Sequence, residues 1–227
     1  MLGSSDPHRF RKTVAGACMV LAPAMGLVGF IVSPGFESSS AKQLATIATD
    51  RDQWFISEML ILLSLVALVP AVLGLMHMLR EREVTHGHLG GGLALLGTMA
   101  AIGSVATGFV AWQMTATAAN VALLERLNDT AGFAIPFYIA VFALPLGLVV
   151  LSWGLMRAEA AHRIAVMCLA VGAVAAGVGF AMSTLWLMIA GYAVLFVGMG
   201  MIGRMVLEET VDEWEHTPHV HVAAGTS

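Results

Sequence analysis

Six long apolar segments occupy most of this chain of 227 residues. A helix of about 20 apolar residues crosses the hydrocarbon core of a bilayer. Charged residues make up only 11% of the chain, and the mean hydropathy is +0.84. We therefore predict an all-α, polytopic membrane bundle with six transmembrane helices, because in lipid the backbone must satisfy its own hydrogen bonds. The predicted spans are about 13–33, 54–79, 89–116, 132–156, 164–183 and 185–206.

The basic residues predict the orientation of the bundle. With the N-terminus in the cytoplasm, only Lys42, Arg51 and Arg126 fall outside. Because cytoplasmic loops are enriched in Lys and Arg, we expect a multi-pass protein of the plasma (inner) membrane with both termini cytoplasmic. The basic residues that this orientation places inside are Arg9, Arg11, Lys12, Arg80, Arg82, Arg157, Arg163 and Arg204.

A weak internal repeat accompanies the spans. The odd spans are rich in small residues, whereas the even spans are bulkier and end at Arg80, Arg157 and Arg204. Three duplicated helical hairpins would explain this pattern, and so would convergence. Since membrane helices associate by close packing, we expect the odd spans at the centre of the bundle, unless some small faces serve self-association. The small pairs are Ala22/Gly26, Ser104/Gly108, Ala173/Gly177 and Ala175/Gly179.

The longest predicted loop, 33–53, contains a short helical stretch. Ser40 followed by Gln43 fits a capping box, and Leu44, Ile47 and Ala48 supply an apolar face. We expect this stretch to lie on the outer membrane surface.

Glu58 is the one acidic residue predicted within a span, about one turn from its outer end. An intramembrane carboxyl group is costly and indicates a functional site by default. Gln113, Tyr138 and Tyr192 fall at a similar depth on three other spans. The four side chains are the candidate lining of an outward-facing polar cavity. The alternative is that the tyrosines anchor helices at the interface and Glu58 is satisfied by a hydrogen bond.

Residues 207–227 are predicted to form an acidic cytoplasmic tail that contains histidines. His216, His219 and His221 are a candidate metal site, because imidazole and carboxylate groups bind zinc, nickel or copper. No cysteine joins them, and their spacing matches no strong signature, so a solvated tail is the main expectation.

No Walker A loop, Ser-His-Asp set or His-Glu-x-x-His motif is visible. We accordingly predict no catalytic residues, no cofactor and no nucleic-acid partner.

Several segments together resemble a family. A run from Arg11 to Pro23 combines basic, Ala-Gly, apolar and Ala-Pro elements, and Ser33-Pro34-Gly35 follows it. A second span led by Trp54 then ends Leu-Met-His-Met-Leu-Arg at Arg80. The chain is similar in these features to uncharacterised actinobacterial six-span membrane proteins with a domain of unknown function. The resemblance implies a helical bundle in the plasma membrane and carries over no functional residue.

The sequence alone favours a non-catalytic membrane module that binds a partner protein or lipid. The first alternative is a small-solute or ion transporter or channel that uses the polar site around Glu58. The second is a membrane redox or metal-dependent enzyme subunit. The expected partners are the bilayer and either a second copy of the chain or another membrane protein.

Overall fold

The computed structural model describes residues 7–37, 39–114 and 116–215, and that part of the chain is helical with no strand. Six helices are long and apolar enough to cross a membrane, which confirms the predicted all-α bundle. Two helices begin earlier than predicted: the first begins before residue 13, and the helix of the third span begins before residue 89. The helices are α1 (Pro7–Val32), α2 (Ser40–Thr49), α3 (Arg51–Met78), α4 (Val84–Gln113), α5 (Ala118–Asp129), α6 (Ala131–Arg157), α7 (Arg163–Ala181), α8 (Leu185–Glu208) and α9 (Val211–Glu215).

The six long helices form a closed ring. Each packs against the spans before and after it in the sequence, and α8 packs against α1 to complete the ring α1–α3–α4–α6–α7–α8. The expectation that the odd spans occupy the centre is therefore wrong, because no span lies inside the ring. Their small residues instead allow neighbouring helices to approach side by side.

Glycines mark where neighbouring backbones meet most closely. A Cβ added at Gly97 of α4 would lie 2.3 Å from the backbone nitrogen of Leu144 on α6. A Cβ added at Gly191 of α8 would lie 2.4 Å from the backbone nitrogen of Ala176 on α7. Any larger residue would force these helices apart. The tight pairs α4/α6 and α7/α8 are two of the three predicted hairpins, while their origin by duplication stays a prediction.

The two ends of the ring are packed differently. We call the end that carries residues 7 and 215 the terminus end, and the opposite end, which carries α2, α5 and residues 182–184, the loop end. The terminus half is filled by side chains that are fully buried or nearly so: Met19, Leu75, Leu79, Leu151, Leu155, Leu169, Ile202 and Val206. This half of the ring is a solid core.

Helix α9 packs onto the terminus end, which corrects the prediction of a solvated tail from residue 207. Trp214 is 7% exposed, and its ring stacks on His77 with the ring centroids 4.5 Å apart. Lys12 is buried, and its Nζ donates to the backbone carbonyls of Leu207 and Glu209 at the end of α8. A cation is favourable there, where helical carbonyls lack partners. The histidines 216, 219 and 221 lie outside the described residues.

At the loop end, α2 covers the ends of the long helices. Leu44 and Ile47 are fully buried against Trp54, Ala111 and Leu124. The predicted capping box does not form, because α2 begins after Ser39, whose side chain makes no capping hydrogen bond.

Helix α5 was not predicted. It begins after Thr117, whose side chain accepts a hydrogen bond from the backbone of Asn120, and it contributes Leu124 to the same cluster.

Candidate functional site: a cavity at the loop end

The loop half of the ring encloses a cavity of about 500 Å³. Residues of all six long helices line it, and α2 and α5 contribute at its mouth. On α3 the lining runs from Trp54 to Leu68, which at 1.5 Å per residue is about 21 Å of helix. The cavity therefore extends from the loop end well into the membrane-spanning part, down to the level where the solid core begins.

The wall of the cavity is mainly apolar and strongly aromatic. Trp54 lies one turn before Glu58 on α3, and its Nε1 donates to the backbone oxygen of Gly108 on α4 at 3.3 Å. The rings of Phe36 and Trp54 are in contact, with centroids 5.7 Å apart. Among the described residues, seven aromatic side chains line the cavity: Phe36, Trp54, Phe133, Phe137, Tyr138, Phe180 and Tyr192.

Glu58 brings a carboxyl group into this apolar wall. The residue is 5% exposed and lines the cavity. Its carboxyl group lies against Gly108, where an added Cβ would be 2.8 Å from the carboxyl carbon. Within residues 7–37, 39–114 and 116–215, Glu58 makes no hydrogen bond and no ion pair. Because no side chain of the described residues pairs with it, the carboxyl group is available to an occupant of the cavity.

Two further polar groups in the wall lack partners among the described residues. The Nε2 of Gln43 is buried without a hydrogen bond, although its Oε1 accepts from the backbone nitrogen of Glu37 at 2.7 Å. The hydroxyl of Tyr192, which is 7% exposed, makes no hydrogen bond either. In contrast, Ser64 is satisfied by the carbonyl of Ala22 at 2.6 Å. Buried polar groups are normally paired, so unpaired groups around one cavity point to an occupant, either water or a ligand.

The structure brings together three of the four side chains proposed for this site. Glu58, Tyr138 and Tyr192 line the same cavity. Tyr138 is 59% exposed and so lies where the wall meets the surroundings. Gln113 is the last residue of α4, is exposed, and is not part of the lining. The functional role of these residues stays a prediction.

Sequence reasoning missed the lining residues that come from the connections between spans. From the sequence, Gln43 is given a role only as half of a capping box, and no role is given to Asn128, which lies in α5 between two predicted spans. One signal was present for Gln43. It is four residues before Ile47, so it shares a helix face with the apolar side of α2 that packs onto the bundle.

No known protein family, no curated protein and no solved structure matches this chain. The resemblance to six-span proteins therefore stays a prediction. Among the residues that the structure describes, no three His, Cys, Asp or Glu side chains lie close enough to hold a metal ion. The functional assignment rests on the cavity.

Proposed function

We propose that this membrane protein binds a lipophilic small molecule in the cavity at the loop end. The observation that carries the proposal is an apolar, aromatic cavity of about 500 Å³ with the unpaired carboxyl group of Glu58 in its wall. Pockets of about 300–1,000 Å³ with a few polar groups in an apolar lining are typical of sites for drug-sized ligands. The proposal keeps the non-catalytic binding module that the sequence favours and assigns it a lipophilic small ligand.

The lining supports entry at the loop end. Phe36, Gln43 and Asn128 come from the segments that cover this end, and all three belong to the cavity wall. Tyr138 combines a place in the wall with a largely exposed surface on α6. A ligand would therefore enter from the loop-end surface or past Tyr138 from the bilayer. The predicted orientation makes this the outer face of the membrane.

Transport is the second candidate, and one feature favours it. Pro145 lies in the middle of α6, lines the cavity and packs on Gly177 of α7, where an added Cβ would be 2.5 Å from its ring. Proline removes one helical hydrogen bond and provides a point at which α6 can bend. Transport would also require the solid core of the terminus half to open. Binding is accordingly the primary proposal.

Photolabelling with benzophenone, a neutral lipophilic probe, tests the proposal. Met188 and Met199 line the cavity and are each 1% exposed, whereas Met99 and Met167 are 69% and 56% exposed on the outside of the ring. The protein in nanodiscs is irradiated at increasing probe concentration, and labelled peptides are quantified by mass spectrometry. We expect saturable labelling at the two cavity methionines and non-saturable labelling at the two outer ones.

A matched pair of variants shows whether the cavity is responsible. Ala101 of α4 lines the cavity, and Ala106 of the same helix is exposed outside it. Ala101→Phe should abolish saturable labelling, and Ala106→Phe should preserve it. Non-saturable labelling at Met188 and Met199, or identical labelling in both variants, would contradict the proposal. Saturable binding together with uptake of a bound solute into proteoliposomes would extend it to transport.

A further inference from the structure

We propose that the ligand is an organic cation: one positively charged amine or onium group attached to an apolar body. This inference rests on the proposed function and specifies the chemistry of the same cavity. It is carried by the charges of the lining, the position of the aromatic rings and the unpaired carboxyl group of Glu58.

The lining contains acidic residues and no basic ones among the residues that the structure describes. Its charged residues are Glu37 at the mouth and Glu58 deeper in the wall, and no Lys, Arg or His belongs to the part of it that the structure describes. The basic residues of the loop end lie outside the lining: Lys42 is exposed on α2, and the two arginines are engaged elsewhere. Arg51 donates to the backbone oxygen of Trp112 at 3.0 Å and lies over its ring, 5.2 Å from the centroid. Arg126 donates to the carbonyl of Ala122 within α5.

The aromatic rings suit a cation. Trp54 and Glu58 are four residues apart on α3 and share the helix face that borders the cavity. Phe36 contacts Trp54, and Tyr192 of α8 lines the same cavity. Faces of tryptophan, tyrosine and phenylalanine attract cations within about 6 Å of the ring centre. A positive group beside Glu58 would therefore lie near both a carboxyl group and the indole ring of Trp54, one helical turn away.

The deeper wall suits an apolar body. Beyond Glu58 the lining includes Leu68, Leu148, Leu195 and Met199, all of which are buried and apolar. Methionine side chains are flexible and adapt to irregular apolar ligands. The cavity thus provides a charged site near the loop end and an apolar chamber toward the membrane centre, an arrangement that matches a molecule with one charged end.

Other ligand charges fit less well. An anion would approach two carboxyl groups with no cationic side chain in the wall to offset the repulsion. A neutral ligand without any polar group would leave Glu58 unpaired. A cation satisfies Glu58 directly, and the free donor at Gln43 Nε2 is then available for an oxygen or nitrogen acceptor on the same molecule.

A pair of ions of equal size and opposite charge tests the inference. Tetraphenylphosphonium and tetraphenylborate have the same four phenyl groups, so their apolar contributions are nearly equal. Binding to the protein in phosphatidylcholine nanodiscs is measured by equilibrium dialysis, with empty nanodiscs subtracted. We expect the wild type to bind the cation at least tenfold more tightly than the anion. Glu58→Gln should weaken cation binding at least tenfold, and Glu37→Gln, at the exposed mouth, should weaken it less.

The source of the cation is resolved by competition. If sphingosine incorporated in the nanodisc displaces tetraphenylphosphonium, the natural ligand is an amine lipid that enters from the bilayer. If only water-soluble onium ions displace it, the ligand enters from the aqueous phase. Both results support a cation.

The inference is overturned if tetraphenylborate binds as tightly as tetraphenylphosphonium, or if folded Glu58→Gln binds the cation unchanged. Saturable benzophenone labelling alongside either result would leave the proposed function intact, so the two failures are distinguishable. The comparison of the two ions on the wild type needs no variant, and it decides the question even if Glu58→Gln does not fold.

Discussion

The carboxyl group of Glu58 on α3 lies directly against the α-carbon of Gly108 on α4. A Cβ built at residue 108 would be 2.8 Å from the carboxyl carbon and 2.9 Å from each carboxyl oxygen. The same glycine accepts a hydrogen bond from Trp54 through its backbone oxygen. Gly108 therefore provides the space in which the acid is held at the cavity wall.

Gly108→Ala should displace the Glu58 carboxyl group and weaken binding of tetraphenylphosphonium several-fold. The stability cost should be small, because the displaced atoms are the end of a flexible side chain and alanine favours the helix by about 0.8–1 kcal/mol over glycine. Gly103→Ala is the matched control on α4, since a Cβ there meets nothing within 4 Å. Equal binding by both variants, measured by equilibrium dialysis, would show that the position of the carboxyl group is unimportant.

Glu58→Leu should abolish cation binding and make the protein more stable. No group of the described structure pairs with the Glu58 carboxyl group, so its removal leaves no partner unsatisfied. An apolar side chain at this position also avoids the cost of desolvating a carboxyl group. Glu58→Gln keeps a polar group in place and should change stability little. Thermal unfolding of wild type, Glu58→Leu and Glu58→Gln in the same detergent ranks their stabilities. A leucine variant that unfolds at a lower temperature than wild type would indicate a structural role for Glu58.

Two truncations separate the packed and distal parts of the C-terminal segment. Deleting residues 216–227 should leave the thermal midpoint unchanged. Deleting residues 209–227 should lower it, because Trp214 and its stack on His77 are lost. Truncation of a buried tryptophan costs about 3–5 kcal/mol in soluble cores, and we expect the lower part of that range at the end of a bundle. Trp214→Ala in the full chain should reproduce most of the loss. Equal stability of both truncations would contradict the docking of α9.

The docking of α9 should depend on pH through Glu215. His8 Nδ1 donates to its Oε1 at 2.8 Å, and this hydrogen bond holds the pKa of Glu215 below its usual range. A lowered pKa means that the stabilisation is present above the ordinary glutamate pKa of about 4.3 and is lost as the pH falls through the lower, folded-state pKa. Burial acts in the opposite direction on Glu209, whose pKa is raised.

Comparison with Glu215→Gln isolates the contribution of Glu215. At pH 7 the variant should unfold at a lower temperature than wild type, and the difference should shrink as the pH is lowered below about 4, where the wild-type carboxylate is increasingly protonated. A difference that stays constant over this range would mean that the ionised carboxylate does not contribute to docking.

The spans and the fold class were predictable because apolar length is recorded directly in the sequence. The closed ring was not, because small residues show that helices approach closely but not which helices do so. Gly97 packs on Leu144 and Gly191 on Ala176, contacts between sequence neighbours that leave the centre of the loop half open. The expectation of central odd spans failed for this reason.

The candidate site was predictable where its residues are unusual in a membrane span. Glu58, Tyr138 and Tyr192 were found because acidic residues and tyrosines are rare among the apolar residues of this chain. Gln43 and Asn128 were missed because polar residues are ordinary in connections between spans. Gln113 was included on depth alone, and the structure places it at the exposed end of α4, since depth does not determine the direction in which a side chain points.

Native mass spectrometry of the protein released from its own membranes tests the central claim most directly, that the cavity holds a lipophilic ligand. The account predicts that wild type and Ala106→Phe carry a bound small molecule that dissociates as a cation, and that folded Ala101→Phe, with the cavity filled, does not. A wild-type protein without any bound molecule, or an adduct of the same mass and occupancy on Ala101→Phe, would contradict it.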